Sequence, residues 1–121
     1  MTVRDKKPNL ILDKSFEFAL KIIDLYNVLV SEKKEYVLSK QLLRSGTSIG
    51  ANAREGVVAQ SRKEFIAKLN IALKEAHETE YWLELLVHGK YLDVDSPLLS
   101  EVDSLIRILT SIIKSTNENQ S

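Results

Sequence analysis

The sequence predicts an all-α chain, an antiparallel up-and-down four-helix bundle that is oligomeric, and three observations carry the expectation. Apolar residues recur at helical spacing in four separate segments. No run alternates apolar and polar residues as a half-buried strand does. Only four glycines and two prolines occur, and the prolines, Pro8 and Pro97, bracket a long stretch with little to break a helix.

The first helix is expected over residues 13–34. Phe16, Leu20, Ile23 and Val30 form one stripe, and Phe18, Ile22, Leu25 and Leu29 form a second at similar spacing. One core needs only one apolar face, so the other side calls for cover, and a second copy of the chain is the plainest source. The second helix, over residues 36–58, places Leu38, Leu42, Ile49, Ala53 and Gly56 in line, interleaved with Ser45, Gly46, Ser48, Gly50 and Ala51. So much Gly and Ser makes it weak by propensity, and a closely packed neighbour must stabilise it.

The third helix is expected over residues 62–89. Ser61 followed by Glu64 is a capping-box start, and Phe65, Leu69, Ala72, Ala76, Leu83 and Val87 continue to a stop near Gly89. Its length is about 40 Å at 1.5 Å per residue. After the turn in YLDVDSP, Ser96 and Pro97 open a fourth helix over residues 97–114 on Leu98, Val102, Leu105, Leu109 and Ile112. The polar tail, residues 115–121, is expected to fray.

A chain of 121 residues makes a single domain over residues 1–121. Seventeen Lys and Arg balance seventeen Asp and Glu, which excludes a globally basic nucleic-acid clamp while leaving room for a local patch. The absence of cysteine excludes a disulfide framework and a thiolate nucleophile. No stretch reaches the roughly 18 apolar residues of a membrane span, and the basic N-terminus leads into no signal-like apolar run. The expected setting is cytoplasmic, with no membrane partner.

Charge is nonetheless unevenly placed. Residues 36–58 carry Lys40, Arg44 and Arg54 against the single Glu55, whereas residues 91–121 carry Arg107 and Lys114 against Asp93, Asp95, Glu101, Asp103 and Glu118. Lys40, Arg44 and Arg54 share a stripe whose phosphate contacts would be sequence-independent and salt-sensitive. An ordinary solvated face is the alternative.

Arg44, Ser48, Asn52 and Glu55 fall within about 80° of one another around the second helix, at the edge of its apolar face. As a recognition site, Arg44 would supply a fork of donors oriented by Glu55, with Asn52 reading both ways. As a packing device, the same residues would fix the register between helices.

No motif for catalysis is found, and neither an enzymatic activity nor a cofactor is expected. His77 and His88 lie eleven residues apart, roughly 16 Å along a helix, so one metal cannot take both. No metal site is expected, and His77 with Glu80 and His88 with Glu84 are read as exposed helical pairs. Tyr81 and Trp82 are read as core or interface filling, since acidic neighbours oppose base stacking.

The stretch from Gln41 to Leu86 resembles the four-helix-bundle family of proteins encoded by intervening sequences of 23S rRNA genes. The residues that carry the resemblance are Gln41, Leu42 and Arg44; Ser48, Ile49, Ala51 and Asn52; Glu55 and Gly56; and Lys63, Glu64 and Phe65. Gly50 stands where many relatives have proline, and Val57 where an aromatic is common, which bears on how the loop leaving the second helix packs. The resemblance implies a small bundle that assembles into a ring, commonly a homopentamer. It also implies kinship with the accessory protein of diversity-generating retroelements, which works with a reverse transcriptase and nucleic acid.

The expected function is therefore a non-enzymatic oligomeric ring that associates with RNA or DNA through Lys40, Arg44 and Arg54. The alternative is a protein–protein interaction scaffold with no nucleic-acid role, in which the Arg44, Ser48, Asn52 and Glu55 cluster organises a subunit joint.

Overall fold

The computed structural model describes residues 6–118. They form four helices and no strand: α1 (Lys6–Ser31), α2 (Leu38–Val57), α3 (Arg62–His88) and α4 (Pro97–Glu118).

Four boundaries differ from the expected ones by two residues or more, each for a local reason. α1 starts at Lys6, well before residue 13. Pro8 falls in its first turn, where backbone N–H groups have no intrahelical partner and a missing donor costs nothing. At its other end α1 stops at Ser31 because the chain turns back: Lys34 takes φ 57°, and the Glu35 N–H reaches the Leu29 carbonyl at 2.9 Å. α4 continues past residue 114 to Glu118, so residues 115–118 are helical and not frayed. Ser115 and Thr116 are half-buried, with Thr116 beside Gly56 and Phe65. The remainder of the expected frayed tail, residues 119–121, lies outside the described residues.

α2 begins at Leu38, two residues later than expected, because of a carboxylate. Glu35 accepts N–H bonds from Val37, Leu38 and Ser39 at 3.2, 2.9 and 2.7 Å, filling the donor positions a helix start leaves unpaired. Burial pushes this carboxyl up, yet the backbone donors of Leu38, Ser39 and Val37 outweigh it and hold Glu35 below the ordinary carboxylate range. α3 starts as its capping signal predicts. Ser61 Oγ accepts the Glu64 N–H at 3.1 Å, and Glu64 reaches back to the N–H of Gln60 at 2.9 Å. Ser96 Oγ accepts the Leu98 N–H at the start of α4. α3 ends without a left-handed glycine: Gly89 has φ −80°, and Lys90 takes the positive φ of 69°.

The helices pack in a closed cycle, α1 on α2, α2 on α3, α3 on α4 and α4 on α1. Cross-helix pairings run in opposite numerical order. Gly46 meets Ile22 while Gly50 meets Ser15, and Ser45 meets Thr79 while Gly56 meets Leu69. The α1–α2 and α3–α4 connections therefore share one end of the molecule. The glycine-rich α2 sits between two close neighbours, its small residues admitting Ile22 on one side and Lys68 and Leu69 on the other. On the α3 side, Ala72 and Ala76 are fully buried, and the Thr79 hydroxyl donates to Ser45 Oγ at 2.8 Å.

Of the two α1 stripes, Phe18, Ile22 and Leu29 form the core with Leu42 and Ile49 of α2, Leu69, Leu83 and Leu86 of α3, and Val102, Leu105 and Leu109 of α4. Each such side chain stabilises the fold by about 1.5–3 kcal/mol through burial. The other stripe faces outward. Phe16 is 53% exposed, Leu20 49% and Ile23 40%.

Candidate functional site

Arg44 lies on α2 two residues after the buried Leu42, and its guanidinium crosses to α3. Nη1 donates to Glu75 at 3.3 Å, and Nη2 donates to Glu78 and stands 3.2 Å from Glu75 Oε1. Glu78 in turn accepts the indole N–H of Trp82 at 3.0 Å. Hydrogen bonds to Glu75 and then Glu78 hold the Arg44 pKa above its ordinary value. The bond from Arg44, then that from Trp82, holds the Glu78 carboxyl below the usual range. Two carboxylates thus face one guanidinium, and no net positive charge is left at this point.

The expected link from Glu55 to Arg44 is not made. The two residues are eleven positions apart, roughly 16 Å along the helix, and each reaches a different partner on α3. Glu55 accepts from Lys68 Nζ at 2.8 Å, and that bond raises the Lys68 pKa. Ser48 and Asn52 turn back onto their own helix, donating to the carbonyls of Arg44 at 2.6 Å and Ser48 at 2.9 Å. The four residues are therefore not one network. They form two α2–α3 clasps with a self-bonded segment between them.

The basic stripe is divided in the same way. Lys40 is exposed in the first turn of α2 and makes no ion pair among the described residues. Arg54 leans toward α1, its guanidinium carbon 6.0 Å from the centre of the Phe16 ring. Arg44 leans the opposite way.

Beside Phe16 runs an open groove of about 400 Å³ between α1 and α2. Leu12, Phe16 and Ala19 line one side, and Gly50, Ala51 and Val58 the other, with Arg54 at its edge. Small residues on one wall and an apolar ridge on the other form a surface on which a further helix can lie closely.

Trp82 packs against the core, whereas Tyr81, tilted 58° to it, is exposed. His77 Nδ1 stands 3.9 Å from Glu80, and the expected pairing of His88 with Glu84 is not made among the described residues. No three His, Asp or Glu side chains converge on a metal position among the described residues. Among the described residues, no helix is long and apolar enough to cross a membrane.

Four residues of these contacts, Glu35, Lys68, Glu75 and Glu78, were not singled out as site residues by sequence reasoning. Glu75, Glu78 and Trp82 do share one α3 face at i, i+3 and i+7, a signal visible in the sequence once Arg44 needs a partner.

Fold and contacts together define a four-helix, all-α protein whose Arg44–Glu75, Arg44–Glu78 and Glu55–Lys68 ion pairs join α2 to α3 and whose α1 carries the exposed Phe16, Leu20 and Ile23. The chain belongs to the 23S rRNA-intervening sequence protein family, whose model matches residues 7–111. It is similar to a crystal structure of a protein of unknown function from the S23 ribosomal protein family of Bacteroides thetaiotaomicron. The two are 56% identical with a TM-score of 0.88, and the match covers 89% of this chain and 98% of that one. No curated protein matches the chain.

Proposed function

We propose that the protein is a cytoplasmic, non-catalytic assembly module: an up-and-down antiparallel bundle whose copies join through the outer face of α1 into a ring, a homopentamer in the pattern the resemblance implies. Phe16, Leu20 and Ile23, exposed beside a groove walled by Gly50 and Ala51, carry this reading. An apolar strip of this kind gains about 25 cal/mol for each Å² removed from water, and small residues let a second helix approach closely enough to remove it. The ring then presents each weak surface feature several times over. Size-exclusion chromatography with light scattering tests the reading on the Phe16→Lys, Leu20→Lys double variant. A wild type larger than the 13.7 kDa chain mass and a helical, monomeric variant support it. A monomeric wild type overturns it.

RNA or DNA is the ring's partner under a second reading, which Lys40 favours by standing exposed and without an ion pair among the described residues. Lys40 and Arg54 supply the phosphate contacts, and Arg44, neutralised by Glu75 and Glu78, serves the α2–α3 joint. Reversing Lys40 to Glu should then weaken binding and leave assembly intact, since Lys40 does not line the groove that Arg54 borders. A ring that ignores RNA and DNA altogether is instead a scaffold for another protein.

A further inference from the structure

We propose that the outward face of α3 receives α1 of the next copy, so that the chains join head to tail, α1 of one against α3 of its neighbour. Resting on assembly through α1, this assignment names the other half of each joint. A ring of more than two copies needs such a half, because a joint repeated around it pairs two different patches of the same chain.

Among the described residues, α3 is the one helix besides α1 that carries large apolar side chains in the open. Ile71 is 40% exposed and Tyr81 54%, whereas neither α2 nor α4 has such a residue. Ala67, one turn before Ile71, is exposed as well, and its small side chain leaves room for a ring such as Phe16 to seat. α1 and α3 sit diagonally across the closed cycle of helices and do not pack on each other, so one copy presents both patches at once. Both patches lean toward α2. The α1 strip borders the groove it forms with α2, and Ile71 sits between Lys68 and Glu75, which pair with Glu55 and Arg44 of α2. Successive joints therefore bend toward closure.

The charges along the two patches are opposite. Asp13 and Asp24 are exposed on the flank of the α1 strip that turns away from α2, and Lys63 and Lys74 are exposed on the outward face of α3. None of the four forms an ion pair among the described residues. Each pair is eleven residues apart, roughly 16 Å along a helix. Both carboxylates can therefore meet both ammonium groups in a single register. The other charges nearby have places of their own. Glu17 shares a small cavity on the α4 side with Lys14 and Lys21, and Lys21 is held by Glu101. On α3, Glu78 is taken by Arg44 and Trp82, and Glu80 stands 3.9 Å from His77. Glu84 and His88 lie further along, near the end of the helix. An antiparallel pairing of two α1 strips would instead set Asp13 and Asp24 of both copies along one edge, where like charges repel.

The test is the concentration at which the full chain dissociates, followed by sedimentation velocity over a dilution series, with circular dichroism to confirm that each variant is helical. Asp13→Lys with Asp24→Lys, and separately Lys63→Glu with Lys74→Glu, should each raise that concentration at least about tenfold by setting like charges against each other. The quadruple variant, which reverses both faces, should return to within about threefold of wild type, because only charges that meet across the joint compensate. Ile71→Ser with Tyr81→Ser should leave a helical monomer. A quadruple variant no better than the double ones, or α3 variants that assemble as wild type does, overturns the α3 assignment; if Phe16→Lys, Leu20→Lys is then still a monomer, assembly through α1 stands without it. A wild-type monomer, or an oligomer that survives Phe16→Lys, Leu20→Lys, overturns assembly through α1 and the α3 assignment with it.

Discussion

Ile22 of α1 lies directly over Gly46 of α2: a β-carbon at Gly46 would stand 2.9 Å from both Cγ1 and Cγ2 of Ile22. Both residues are buried, and Ile22 is β-branched with little rotamer freedom in a helix. Gly46→Ala should therefore separate α1 from α2 and cost about 1–3 kcal/mol in urea denaturation. Adding Ile22→Ala, which removes both Cγ atoms, should make the double variant less destabilised than the sum of the two single ones, a coupling visible in a double-mutant cycle. An unchanged midpoint for Gly46→Ala would contradict the close approach.

The Arg44 clasp sets a second expectation. Arg44→Ala leaves Glu75 and Glu78 facing each other, yet Arg44 is half exposed, so the loss should be about 1 kcal/mol or less. Its pH dependence is more informative. The Glu78 carboxyl titrates below its ordinary 4.5, so the unfolded chain binds the proton more readily and the clasp contributes fully only above that value. Stability should fall as pH drops from about 4.5 through the lowered folded value, and more steeply in wild type than in Arg44→Ala. Equal pH profiles would show that the clasp does not stabilise the fold.

Glu35 has the same sign and a firmer hold. It is buried and accepts three backbone N–H groups at the start of α2. Glu35→Gln should cost about 1–3 kcal/mol, since charge-assisted bonds to three helix donors are replaced by a weaker acceptor. The variant should also lose part of the acid sensitivity below pH 4.5. Thermal melts at pH 3.5 and 7 check both points.

Lys34 and Lys90 lead to stabilised variants. Each has a left-handed backbone that glycine adopts without a Cβ penalty. Lys34→Gly and Lys90→Gly should each raise stability by about 0.5–1 kcal/mol, read as a higher urea midpoint. A lower midpoint would mean that the lysine side chains make contacts outweighing the strain.

The helices and their number are legible in the sequence because apolar spacing and the Ser61 and Ser96 caps are local signals. The choice between the two α1 stripes is not local. Phe18 and Ile22 turn inward because Gly46 leaves room for Ile22, a relation between residues on different helices. Partner choice fails for the same reason. Helical angle alone groups Arg44 with Glu55, but the α2–α3 register brings Glu75 and Glu78 to Arg44 and Lys68 to Glu55. Glu35 escapes sequence reasoning because a carboxylate ahead of a helix reads as a cap only once the first turn is located at Leu38.

The assembly of copies through α1 is the central claim, and native mass spectrometry of the purified wild type at moderate salt tests it most directly. The account predicts one closed oligomer of defined subunit number, five in the pattern of the family resemblance, that collapses to monomer in Phe16→Lys, Leu20→Lys. A wild-type monomer, or an oligomer of unchanged size in that variant, would contradict it.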